Sequence, residues 1–74
     1  MLIKDLICND DFNVNCNYAI YDCRNTDKTW NESKCIYQSL HPTCNNTIAN
    51  WILNLNIGYI TIDIHRKCLI IEAK

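Results

Sequence analysis

Both histidines of this 74-residue chain stand three positions before a cysteine, in His41-Pro42-Thr43-Cys44 and His65-Arg66-Lys67-Cys68. Imidazole nitrogen and thiolate sulfur are the donors that tetrahedral zinc takes, and a pair separated by two residues in a tight turn can aim both at one ion. His41, Cys44, His65 and Cys68 would complete a four-ligand site and add stability that so small a core lacks. The usual finger spacing, Cys-x-x-Cys, is absent, and a chain with two histidines and six cysteines produces such a coincidence readily. A zinc-stabilised binding domain is therefore the alternative reading, and the principal one uses no cofactor.

The six cysteines, Cys8, Cys16, Cys23, Cys35, Cys44 and Cys68, are dense enough to raise a disulfide framework. Lys4 and Asp5 interrupt the opening where a secretory signal needs an unbroken apolar run. The expectation is a cytoplasmic protein with reduced thiols, each behaving as a small hydrophobe. A secreted, disulfide-stapled domain that has lost its signal is the second alternative. Asn31-Glu32-Ser33 and Asn45-Asn46-Thr47 match the glycosylation pattern, but an asparagine-rich chain makes such matches by chance. One glycine and one proline are few for a disulfide miniprotein.

Catalysis finds little support. A Cys–His mechanism needs a thiolate held beside a base, and nothing selects a pair. A single glycine excludes a Gly-rich phosphate loop. Asp22, Asp27, Glu32 and Asp63 are isolated carboxylates, and His65-Arg66-Lys67 reads as a solvated turn. A net charge of -1 exerts no general pull on nucleic acid or anionic lipid. No apolar run approaches the roughly 20 residues of a membrane span. The expected partner is a protein, or a second copy in a homodimer. Tyr21, Trp30, Tyr37 and Tyr59 are the candidate contact residues, as a row on an uncovered sheet face. Trp51 reads as a core anchor.

The elements that position these residues follow from hydrophobic period. A 49% hydrophobic, 20% charged composition supports one folded domain over residues 1–74. Leu2, Ile3, Leu6 and Ile7 predict a short helix ending between Cys8 and Asp10. Phe12, Val14, Cys16, Tyr18 and Ile20 alternate with polar residues or Ala19, predicting a first strand. Trp30 to Gln38 predicts a second, antiparallel to it across the polar turn from Asp22 to Lys28. After the break at Pro42, a helix capped by Asn45, Asn46 or Thr47 should present Ile48, Trp51, Ile52 and Leu55 as one stripe and stop at Asn54 to Gly58. Ile60, Ile62 and Ile64 should pair with Ala73, Ile71 and Leu69 in a hairpin over His65-Arg66-Lys67-Cys68, all six on one face. The expected fold is α+β: helix, strand, strand, helix, strand, strand, with a mostly antiparallel four-stranded sheet and helices on one face.

Ile3-Lys4-Asp5-Leu6-Ile7, Ala19-Ile20-Tyr21-Asp22, Ile60-Thr61-Ile62-Asp63 and Cys68-Leu69-Ile70-Ile71, in this order, resemble small uncharacterised proteins of phages and mobile elements of low-GC anaerobic bacteria. The stretch from Cys23 to Cys44 departs from that pattern. The resemblance implies a cytosolic accessory protein of a mobile element, in a class that includes small inhibitors of host defence proteins. It transfers no site residues. The function expected is a non-enzymatic protein-interaction module that occupies a surface on a larger protein.

Overall fold

A computed structural model of the chain describes residues 1–9, 11, 16–39 and 48–74. The elements are α1 (Ile3–Ile7), β1 (Asn17–Asp22), a 3-10 turn (Trp30–Glu32), β2 (Lys34–Ser39), α2 (Asn50–Leu53), β3 (Ile57–Asp63) and β4 (Cys68–Ala73). The four strands form one sheet in the order β2-β1-β4-β3. β1–β2 and β3–β4 are antiparallel hairpins, and the central pair β1–β4 is parallel. Two of the three pairings are antiparallel, as expected, and the parallel central pair makes the sheet mixed. The physical reason lies in the residues of the two central strands. Tyr18 to Tyr21 and Ile70 to Ala73 are buried without interruption, and strands covered on both faces take the centre of a sheet.

The helix-side core joins Ile3 and Ile7 of α1, Ile48 and Ile52, Tyr18 and Ile20 of β1, and Ile71 and Ala73 of β4. Both helices thus lie on one face. The other face carries a smaller cluster of Ala19, Tyr21, Cys23, Cys68 and Ile70, with the half-buried Trp30 packed against it. Residues of alternate parity on β1 feed the two clusters, as a period-two strand requires.

Local boundaries differ from the sequence pattern for specific reasons. α1 is fixed at its start by Asp5, whose Oδ2 accepts the Leu2 N–H at 3.0 Å. The Ile3 N–H donates to the Leu55 carbonyl at 2.9 Å, and the Ile57 N–H to the Met1 carbonyl at 2.8 Å. The amino terminus therefore runs along the outer side of the chain entering β3, with Leu2 bridged to Asn56. α2 is a single turn after Ala49, so Ile48 precedes it and the i, i+3 relation to Trp51 does not hold. Ile52 is buried, whereas Trp51 is 52% exposed, with the Arg24 guanidinium 5.6 Å from its ring centre. Gly58 lies within β3 at the register shift between Ile57 and Tyr59, against the stem of Lys74. It is a bulge residue and not the helix stop.

The β3–β4 hairpin closes earlier than expected. Asp63 Oδ1 accepts the N–H groups of His65 at 3.1 Å and Arg66 at 3.3 Å, which starts the turn at Ile64. Asp63 pairs with Cys68, Ile62 with Leu69 and Ile60 with Ile71. Lys67 ends the turn at φ 52°. The pairing moves by an even step, so Ile60 and Ile62 keep the helix-side face while Ile64 leaves the strand. Phe12 and Val14 of the expected first strand, His41 and Pro42, and the expected caps Asn45, Asn46 and Thr47 lie outside the described residues. Among the described residues no helix is long and apolar enough to cross a membrane.

Candidate functional site: the β3 edge

Among the described residues the helix-side face is not covered evenly across its four strands. A helix rises about 1.5 Å per residue, so helices of this length extend only about 6 to 8 Å, whereas four strands span about 14 Å between the outermost backbones. The core beneath α1 and α2 takes in β1, β4, Ile36 and Tyr37 of β2 and Ile57 at the start of β3, and among the described residues no later residue of β3 joins it. Ile60, Ile62 and the adjoining turn residue Ile64 are left 42%, 66% and 80% exposed. Ile62 and Ile64, with Cys16, Lys67, Cys68 and Leu69, line a shallow groove of about 390 Å³. Three isoleucines in one ledge exceed the scattered apolar exposure normal for a surface.

β3 is also an edge strand, so its outer backbone groups are open to pairing. Among the described residues, Met1 and Leu2 occupy the outer side, at Asn56 and Ile57. On the opposite face of β3, Tyr59 pairs with Glu72 and is 63% exposed.

The four candidate contact aromatics do not form the expected row. Tyr21 is buried and packs its ring 5.4 Å from that of Trp30, on the face away from the helices. Tyr37 stands opposite Ile20 in the β1–β2 register and so has helix-side parity, with its ring 6.1 Å from Tyr18. Of the four, only Tyr59 is well exposed. The polar turn after β3 supplies the reason that Tyr21 and Trp30 are covered. Arg66 folds back over them, donating from Nη2 to the Tyr21 hydroxyl at 3.1 Å and from Nε to Asp63 Oδ2 at 2.8 Å, with its guanidinium 5.6 Å from the Trp30 ring centre. These contacts raise the Arg66 pKa, with the Tyr21 hydrogen bond the largest cause, and the hydrogen bond from Arg66 holds the Asp63 carboxyl below the usual carboxylate range. Arg66 is thus a clamp within the turn, with 46% of its side chain still exposed.

The candidate zinc ligands are only half visible. His41 and Cys44 lie outside the described residues. His65 is exposed in the turn, and Cys68 is buried at the first position of β4. Among the described residues no group of three or more His, Cys, Asp or Glu gathers closely enough to hold a metal ion. Burial pushes the Cys68 thiol pKa up, against a smaller lowering by Arg66. Cys23 is also buried, 3.4 Å from the Ser33 hydroxyl, whereas Cys16 and Cys35 are exposed. A second concavity, lined by Cys23, Arg24, Asn25, Thr26, Asp27, Lys28 and Lys74, mixes both signs of charge at the β1–β2 loop.

The isoleucine ledge is the feature that sequence reasoning missed. No local signal announces it, because the stripe from Ile48 to Leu55 predicts a longer helix than the four residues of α2. Comparison of the chain with models of protein families, with curated proteins and with solved structures finds no match in any of the three.

Proposed function

We propose that this chain is a non-enzymatic protein-interaction module whose contact surface is β3, with Ile60 and Ile62 as its apolar face, the turn residue Ile64 adjoining them, and Tyr59 on the other side of the strand. The observation that carries this reading is the exposed ledge on an edge strand that no other strand covers among the described residues. Such a strand offers backbone hydrogen bonds for affinity and alternate side chains for selectivity, the means by which sheet edges take up an added strand. In the setting implied by the resemblance to mobile-element proteins, the module acts as a cytoplasmic inhibitor by occupying a host protein. Affinity capture from extracts of the source cells tests the reading. Wild type should retain a partner that Ile62→Lys loses and that Lys34→Ala, on the far edge of the sheet, keeps. Retention of no partner by a chain that is itself monomeric, or equal retention by wild type and Ile62→Lys, refutes it.

A further inference from the structure

We infer that β3 pairs edge to edge with β3 of a second copy of this chain, antiparallel about a two-fold axis at Thr61. The inference rests on reading β3 as the contact surface and names its occupant. Its first support is the extent of the open edge. The Met1 carbonyl and Leu2 close the outer side at Asn56 and Ile57, and the turn begins at Ile64. After the bulge at Gly58 the stretch left open by the described residues is Tyr59 to Asp63, whose midpoint is Thr61.

That stretch is complementary to itself. Antiparallel pairing centred on Thr61 sets Ile60 opposite Ile62 on both sides of the axis, Thr61 opposite Thr61, and the Tyr59 phenol opposite the Asp63 carboxylate. Apolar groups meet apolar groups, hydroxyl meets hydroxyl and a donor meets an acceptor, the pairings that stabilise adjacent strands. Centring on Ile60 would drive Asp63 against Ile57, where Met1 already sits. Centring on Ile62 would draw Ile64 and His65 out of the turn into the ladder. A two-fold normal to the sheet keeps the helices of both copies on one side, so Ile60 and Ile62 of each copy form one four-isoleucine cluster between the two helical roofs.

Charge and area are compatible with self-association. The single charged residue of β3, Asp63, is already paired with Arg66 at 2.8 Å, and the strand has neither the lysine nor the proline that guards natural edges. The other edge strand, β2, begins with Lys34. The exposed fractions of Tyr59, Ile60, Ile62 and Ile64, at on the order of 200 Å² for each large residue, leave about 500 Å² per copy. Burying it on both copies gives about 1,000 Å², the lower bound of a specific interface. The dimer is accordingly a weak one, in the micromolar range.

Sedimentation equilibrium of the whole chain in reductant, from about 10 to about 500 µM, tests the inference. Wild type and Ile62→Val should dimerise, and Ile62→Lys should weaken the dimer at least about tenfold with unchanged circular dichroism, since the side chain is 66% exposed in the monomer. Lys34→Ala should leave it intact. A wild type that stays monomeric throughout, or a dimer indifferent to Ile62→Lys, overturns the inference. A monomer that still captures a partner through Ile62 overturns the second copy alone, and a monomer that captures none overturns the contact-surface reading with it.

Discussion

Truncating two isoleucines of the same sheet face should have very different costs. Ile71 is fully buried in the helix-side core, and its direct cross-strand neighbour on β3 is Ile60; Ile62, one step further on the same face, is 66% exposed. Ile71→Ala removes buried carbons and leaves a cavity, a change that costs about 2 to 5 kcal/mol. Ile62→Ala removes the same atoms where about a third of their surface is covered, and at about 0.8 kcal/mol per buried methylene the loss is about 0.5 to 1 kcal/mol with no cavity. A domain of this length has about 4 to 11 kcal/mol of total stability. Ile71→Ala should therefore lower the melting temperature by about 10 to 30 °C, and Ile62→Ala by about 5 °C. Urea titration followed by circular dichroism, in reductant and at low protein concentration, reads both losses at constant m-value. Equal losses of 2 kcal/mol or more would mean that the ledge is roofed in the monomer, and the reasoning from short helices would be wrong.

Two further outcomes follow from the polar contacts and the thiols. Arg66 depresses the Asp63 carboxyl, so the unfolded chain takes up that proton first as pH falls. The stabilisation is complete above the ordinary carboxylate range and is lost below it, so wild type should lose more stability than Asp63→Asn in melting series taken from about pH 6 to about pH 2; parallel acid slopes would refute the pairing. Brief alkylation of the native chain at neutral pH should modify the exposed Cys16 and Cys35 at least about tenfold faster than the buried Cys23 and Cys68, whose thiol at position 68 is also pushed up by burial. Peptide mass analysis with matching rates at all four would contradict the packing of the smaller core.

How far the residues alone could be read depends on the range of the interaction. The alternation at Tyr18 and Ile20 and at Ile60 and Ile62 is local, and each pair does share one sheet face. The two hairpins were also local inferences. The parallel β1–β4 pairing joins residues some fifty positions apart, and no turn geometry announces it; the unbroken apolar runs from Tyr18 to Tyr21 and from Cys68 to Ile71 are the local signs of central strands. Trp51 misled because the helical stripe assumed more turns than α2 has. Arg66 reaches Tyr21 across 45 residues, so its clamp could not be seen in the three-residue basic tip. For β3, alternation identified the apolar face but not its exposure, which depends on the length of the roof above it.

The central claim is that β3 is the surface through which this chain meets another protein. Hydrogen exchange, measured on the associated state and on the isolated chain, tests it most directly. The account predicts slower exchange at residues 59–63 on association, no change along α2, and loss of the protection in Ile62→Lys. Protection gained instead along β2 or at the loop from Cys23 to Lys28, with residues 59–63 unchanged, would contradict it.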